Sequence, residues 1–311
     1  MAETNLMSLT RRIVAGDMRA LASAMTLIES GDPKARTVIK AIYPHTGKAH
    51  VIGVTGAAGT GKSSLIDRLT AEYRQHEKRV GILAVDPSSL FSSGALLGDR
   101  VRMRDHFLDA GVFIRSFATR GSAGGLSAAV RDAVHLLDGA GKDIIIVETI
   151  GVGQDELEIA ALAHTVVVVL MPEIGDEVQG MKAGIAEVAD ILAVNKTDLP
   201  GAEQAIQQLE ALFGDGNIPI VPTSAVKNEG IHLLVNNIDE HRVKSVGNGS
   251  YWRKRVKLCR QELLALLGDR VFVQLAKKVG DEALDRQAER IAERRIDPYS
   301  VVEELAKKAG L

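Results

Sequence analysis

Gly56-Ala57-Ala58-Gly59-Thr60-Gly61-Lys62-Ser63 has the spacing G-x-x-x-x-G-K-[ST], that of a phosphate-cradling P-loop. The apolar run Val51-Ile52-Gly53-Val54-Thr55 before it reads as a buried strand, and Ser64-Leu65-Ile66-Asp67-Arg68-Leu69 after it reads as a helix start. Strand, glycine-rich loop and helix in that order are the context the motif needs. Glycines let the loop turn its N–H groups inward around phosphate oxygens, and the helix N-terminus adds partial positive charge there. Lys62 is expected on the β- and γ-phosphates and the Ser63 hydroxyl on Mg²⁺; residues 56–63, together with Ser64, form the candidate phosphate-binding segment.

Working outward, residues 50–225 alternate strand with helix. Candidate strands are 51–56, 80–86, 112–117, 143–149, 165–171, 191–196 and 218–222. Most are continuous apolar runs, such as Ile144-Ile145-Ile146-Val147 and Val166-Val167-Val168-Val169, which marks strands buried on both faces of a parallel sheet. In such sheets ligands bind beyond the carboxyl ends of the strands, and every motif below falls at such an end. Before the sheet, Asp17 is a candidate helix cap and Asp32-Pro33 starts a second helix. After it, Ser245-Val246-Gly247-Asn248-Gly249-Ser250 reads as a flexible linker. The rest reads as helices with apolar stripes at Trp252, Val256, Cys259, Leu263 and Leu267, then at Leu284, Ala288 and Ile291, then at Val302, Leu305 and Ala309. The expected organisation is an N-terminal helical extension (1–44), a P-loop NTPase domain of α/β class with a mostly parallel sheet flanked by helices (45–244), and a C-terminal helical arm (245–311). So short an arm has little core of its own and must pack on something, a second copy being favoured.

Composition narrows the classes. A hydrophobic share of 46% with 25% charged residues fits an ordinary globular protein. A net charge of −2 gives no footprint for nucleic acid or an anionic membrane, and 4% aromatics argues against stacking platforms for single strands. The longest apolar run, Val166 to Met171, is too short to span a bilayer, and residues 1–7 lack a signal-peptide pattern. The single Cys259 rules out an internal disulfide framework and fits a reducing compartment, so the expected location is the cytoplasm. The eight histidines look scattered, without an H-E-x-x-H-like pair, and read as surface or core histidines rather than ligands.

Asn195-Lys196-Thr197-Asp198 follows the strand Ile191–Val194 and matches N-K-x-D, a guanine reader. A carboxylate at Asp198 accepts from guanine N1–H and the exocyclic amine, a donor pair adenine lacks. Lys196 would lay its stem over the base, and Asn195 would brace the loop. Thr223-Ser224-Ala225 follows the strand 218–222, where a backbone N–H can reach guanine O6. Glu148 ends the strand 144–147 at the position of a Mg²⁺-polarising acid, although Asp is commoner there; Gly151 N–H could bond the γ-phosphate and Gln154 could orient water. Asp86 ends the strand 80–86, and Asp99 sits in the Gly/Ser-rich loop 88–99, whose composition suits a switch. Gly175 to Lys182 is a further candidate responsive loop.

Taken together, the P-loop, Asp86-Pro-Ser-Ser, Leu97-Gly-Asp-Arg, Glu148-Thr-Ile-Gly-Val-Gly-Gln and Asn195-Lys-Thr-Asp resemble the MeaB/ArgK family over nearly the whole chain. That resemblance implies a P-loop GTPase that chaperones an adenosylcobalamin-dependent acyl-CoA mutase, with GTP hydrolysis gating cofactor loading. It implies GTP/GDP and Mg²⁺ as cofactors, and metal contacts from Ser63, Asp86, Asp99 and Glu148. Asp198 would take the guanine, with backbone contacts from Ser224, Ala225 and Val226. Lys62, Glu148, Gln154 and Lys182 are the implied catalytic set, Lys182 through partner-dependent activation, and the C-terminal helices match a homodimerisation arm. The chain departs from the family pattern at Ala58-Gly59-Thr60 (usually Pro-Gly-Ala), at Ser93-Gly94-Ala95 (usually Gly-Gly-Ser) and at Ser64 (usually Thr). None of these removes a phosphate or metal ligand. They leave open whether methylmalonyl-CoA mutase or an isobutyryl- or hydroxyisobutyryl-type mutase is served. With no arginine finger evident in cis, intrinsic hydrolysis is expected to be slow and partner-stimulated. The alternatives are a GTPase for nickel or cobalt insertion, which usually carries Cys/His clusters near its P-loop, and a nucleotide-binding module without a mutase partner.

Overall fold

The computed structural model describes residues 2–86, 106, 108–118, 128–149, 159–172, 187–213 and 218–310. Asp99, Gly151, Gln154, Lys182 and the loops 88–99 and 175–184 lie outside the described residues, as does the side chain of Asp86.

Three N-terminal helices, α1 (Ala2–Val14), α2 (Met18–Glu29) and α3 (Lys34–Ile42), precede the sheet. Asp17 caps α2 as expected, its Oδ1 accepting from the N–H groups of Arg19 at 2.9 Å and Ala20 at 3.0 Å. Seven strands follow: β1 (His50–Thr55), β2 (Val80–Asp86), β3 (Val112–Ala118), β4 (Ile144–Thr149), β5 (Thr165–Leu170), β6 (Ile191–Val194) and β7 (Ile220–Pro222). All pairings are parallel, in the order β3-β2-β4-β1-β5-β6-β7. Each expected strand is present, with ends shifted by at most two residues. Among the described residues, the helices between them are α4 (Lys62–Gln75), α5 (Ala128–Gly139) and α6 (Ala202–Phe213), and α7 (Ile231–Gly247) follows β7.

The apolar runs divide between two cores, one on each face of the sheet. Ile145 and Val147 of β4, with Val166, Val168 and Leu170 of β5, pack toward α1–α3 and α5. Ile144, Ile146, Val167 and Val169 face the other way, onto Leu65, Ile66, Leu69 and Tyr73 of α4 and Leu234, Val235 and Ile238 of α7. A strand alternates its side chains between faces, so a strand covered on both sides is apolar along most of its length. The N-terminal helices are therefore part of the main core: Leu21, Met25, Val38 and Ile42 are all buried in it. Burying a leucine- or isoleucine-sized side chain stabilises by about 1.5–3 kcal/mol, enough to hold short helices that would be marginal alone.

The expected flexible linker at 245–250 is corrected. Helix α7 runs through Gly247, Asn248 caps it, and α8 (Ser250–Val279) begins after Gly249, whose φ is +73°. Asn248 Oδ1 accepts from Ser250 N–H at 2.8 Å, so glycine and asparagine here make a tight helix–helix turn. The chain divides into two compact units, Met1–Lys254 and Arg255–Leu311. In the second, α9 (Asp281–Ala292) and α10 (Pro298–Ala309) follow the rest of α8, and Asp297 caps α10 by accepting from Ser300 N–H at 2.9 Å. The inward position of α10 is Val301, 4% exposed, and not the expected Val302, which is 64% exposed. One residue is 100° around a helix, and Val301 shares its stripe with Leu305.

Candidate functional site

The loop 56–61 leaves β1 at the middle of the sheet, between β4 and β5, where the chain's connections diverge to either side. Two of its glycines are sterically required. Gly56 has φ +139°, and a Cβ there would lie 2.2 Å from the carbonyl oxygen of Val169. Gly61 has φ +89°, and its Cβ would lie 2.5 Å from Asn195 Nδ2. The loop is pressed between the ends of β5 and β6, and only glycine permits both the turn and the approach.

Lys62 opens α4 with its side chain buried, and its ammonium donates to the carbonyls of Gly56 at 2.7 Å and Ala57 at 2.9 Å. Its charge therefore sits over the loop's interior. Thr60 is buried and spends its hydroxyl on Ala57 O at 3.0 Å, bracing the loop from inside. Ala58, Gly59 and Ser64 face solvent.

Ser63, in the first turn of α4, donates its hydroxyl to Glu148 Oε1 at 2.8 Å. Both residues are buried, and the sheet register sets Glu148 beside Val54 of β1 and Ala84 of β2. A hydroxyl and a carboxylate in contact, both oxygen donors, suit a hard cation such as Mg²⁺. The backbone of Asp86, which pairs with Ala118, ends the neighbouring strand β2.

Asn195 is 1% exposed and joins three segments. Its Nδ2 donates to Thr60 O in the loop at 2.8 Å, while its Oδ1 accepts from Ala225 N–H at 3.1 Å and from the Thr223 hydroxyl at 3.4 Å. The brace expected from the motif is thus a cross-link between the P-loop and the turn after β7. Lys196 sits at φ +63°, a left-handed conformation, with its Cε near Gly61. Asp198 is exposed, and Ser224 Oγ donates to its Oδ1 at 2.6 Å. That hydroxyl holds the Asp198 carboxyl below the usual carboxylate range. The N–H of Ser224 donates to Glu229 O at 2.9 Å and that of Ala225 to Asn195, so a guanine O6 at Ala225 would share its donor. Val226, one residue on, is 79% exposed.

Sequence reasoning missed the Ser224 side chain, which it read only as a backbone contact. The available signal was the pairing of β6 with β7, which puts the residues after each strand side by side. It also missed Arg68, whose Nε donates to Ala225 O at 3.0 Å and ties α4 to the same turn.

Asn195→Ala would leave the Thr60 carbonyl and Ala225 N–H buried without their partner. We expect a stability loss of about 2–4 kcal/mol, read by urea unfolding, together with weaker GDP binding.

The family model for the methylmalonyl-CoA mutase-associated GTPase MeaB matches residues 21–280. This chain belongs to that family. A relative in Pyrococcus abyssi, named only provisionally as a GTPase, is 41% identical over 309 residues, covering 96% of this chain and 95% of its own. The GTPase ArgK of Escherichia coli is 33% identical over 261 residues, 83% of this chain and 71% of its own. A solved structure titled LAO/AO transport system kinase superposes with a TM-score of 0.75 at 25% identity, covering 100% of this chain and 99% of that one. As a MeaB-family member the chain is a P-loop GTPase. Among the described residues no helix is long and apolar enough to cross a membrane.

Proposed function

We propose that this GTPase is a chaperone of an adenosylcobalamin-dependent acyl-CoA mutase, using GTP hydrolysis to time cofactor delivery. The observation that carries the proposal is the match to a mutase-associated family over residues 21–280, on a chain in which the Ser63 hydroxyl meets Glu148 and the Ser224 hydroxyl meets Asp198. A Caenorhabditis elegans relative named as a methylmalonic aciduria type A homolog, 38% identical over 211 residues, supports the same reading. In this scheme Mg²⁺ sits at Ser63 and Glu148, with Asp86 and Asp99 as further oxygen donors. Gly151 contacts the γ-phosphate, Gln154 orients water, and Lys182 responds to the partner. The base rests on Asp198, with Lys196 along its plane.

The decisive assay is GTP turnover with and without purified methylmalonyl-CoA and isobutyryl-type mutases. Alone the protein should be slow. The matching mutase should raise the rate by about tenfold or more, below the 10³–10⁵ an inserted arginine supplies. Rapid turnover alone, unaffected by any mutase, would refute the proposal.

We further propose a homodimer through α8. Val256, Leu263, Leu267 and Phe272 are exposed on that helix, Leu263 at 57% and Phe272 at 68%, and a run of apolar side chains in water is the usual mark of a surface another chain covers. Sedimentation should give twice the chain mass, and Leu263→Glu with Leu267→Glu should return it to one. A wild-type monomer would exclude the dimer.

A further inference from the structure

Glu72, His76 and His232 lie outside every motif described above. Glu72 is on α4, four residues after Arg68, and His76 follows four residues later, so the three share one face of the helix end. His232 is in the first turn of α7, which packs alongside α4. His232 Nδ1 lies 2.9 Å from Glu72 Oε1, and His76 Nε2 lies 3.8 Å from the same oxygen. One donor atom from each residue falls within 4.8 Å of the other two.

We propose that these three residues form a divalent transition-metal site, for an ion of the Zn²⁺ class, that clips α4 to α7. Two imidazoles and a carboxylate make a set such ions favour, with the remaining position left to water. Ligand atoms around a tetrahedral ion are about 3.3–3.4 Å apart for bonds of about 2.0–2.1 Å, and the separations present run from 2.9 Å to at most 4.8 Å, so the wider ones have to close. Small rotations of the two exposed rings close the remainder: the His76 and His232 side chains are 56% and 69% exposed, while the Glu72 side chain, at 15%, is held in place. Glutamate and histidine four apart on one helix already face the same way, and the third ligand comes from an element fixed by other contacts. Tyr73 OH donates to Asp239 Oδ1 at 3.3 Å, and Arg68 reaches the Ala225 carbonyl. The eight histidines look scattered in sequence because this cluster spans 160 residues between Glu72 and His232.

The position matters because α4 begins with Lys62 and Ser63, whereas α7 begins just after the turn that holds Ala225 and Ser224. An ion here would sit on the strut joining the phosphate-binding half to the base-binding half. The site stands independently of the mutase proposal.

The test is equilibrium dialysis of the full-length protein against Zn²⁺, with excess Mg²⁺-GDP to fill the nucleotide site. A Cys259→Ser background removes the exposed thiol as a competing ligand. One equivalent of Zn²⁺ should be retained, and His232→Ala, His76→Ala and Glu72→Gln should each weaken retention by at least about tenfold, the cost of losing even an outer-shell contact. Zn²⁺ should raise the melting temperature of the parent and not of the variants. Co²⁺ substituted for Zn²⁺ should give visible d–d bands that His232→Ala abolishes. Failure of the parent to retain Zn²⁺, or equal retention by parent and variants, overturns the proposal and leaves the cluster as a surface hydrogen-bonded pair and its neighbour.

Discussion

Asp198→Asn should transfer the preference of this GTPase from guanosine to xanthosine triphosphate. The carboxylate of Asp198 is exposed at the turn after β6, and the Ser224 hydroxyl donates to its Oδ1; an ionised carboxylate has about four lone-pair sites, so acceptor capacity remains for a ligand. Guanine offers two donors on one edge, N1–H and the exocyclic amine, and an ionised carboxylate accepts both. An asparagine amide accepts at one atom and donates at the other, so its N–H₂ would face the guanine amine with no acceptor between them. Xanthine has a carbonyl in place of that amine. Its N1–H meets the amide oxygen and its carbonyl meets the amide N–H₂, and the pairing is restored. GTP affinity should fall on the order of a hundredfold or more, and xanthosine triphosphate should gain by a similar factor, because mispaired polar edges cost more than good pairs gain. The Ser224 hydroxyl still finds the amide oxygen, so the fold should be untouched. The measurement is competition of the two triphosphates for a fluorescent GDP analogue. Unchanged GTP preference in the variant would show that the base is read elsewhere. The depressed ionisation of Asp198 adds a pH expectation: the carboxylate stays charged below the usual Asp range, so the preference of the parent for GTP over ATP should be level from neutral into mildly acid pH.

That prediction rests on a contact the sequence showed only in part. The motif supplied Asp198 and the role expected of it. The Ser224 hydroxyl that orients it comes from a segment 26 residues away, and only the pairing of β6 with β7 brings them together. The strands were legible because both faces of the sheet are covered. A strand with no solvent side is apolar along most of its length, and runs such as Ile144–Val147 and Val166–Val169 are β-branched at every position and too short for a buried helix. The turn at 247–249 was misread because glycine, serine and asparagine serve both linkers and helix caps, and composition does not separate the two. The inward residue of α10 was missed by one position for a related reason. Val301 and Val302 are adjacent apolar residues on a short amphipathic helix, and which of them faces inward is decided by packing. The three-residue cluster at Glu72, His76 and His232 had no local signature beyond one four-residue spacing, since its third member arrives from another helix.

Lys62→Ala should reduce GTP hydrolysis on the order of 10²–10³-fold, the range expected when one fixed donor to developing charge is removed. The ammonium of Lys62 is held at 2.7 Å and 2.9 Å by the carbonyls of Gly56 and Ala57, and its side chain is buried, so it is positioned before any phosphate arrives. The two carbonyls are neutral acceptors. A β- or γ-phosphate oxygen carries formal charge and outcompetes them, so the lysine can turn from loop to ligand with little reorganisation, which is the condition under which a donor helps most. Removing it takes away a counter-charge whose value grows as charge builds on the leaving β-phosphate. Without nucleotide the loss should be much smaller: two carbonyls lose a charged donor, about 1–3 kcal/mol in unfolding experiments. The contrast between a modest stability change and a large rate change separates a phosphate role from a structural one. Lys62→Arg sharpens it. Guanidinium keeps the charge but is planar and wide, and a loop closed by Gly56 against Val169 and by Gly61 against Asn195 leaves no room to widen. The arginine variant should therefore remain nearly as slow as the alanine variant. Turnover within about threefold of the parent in either variant, against the 10²–10³-fold expected for a fixed donor, would mean that the ammonium works for the loop alone.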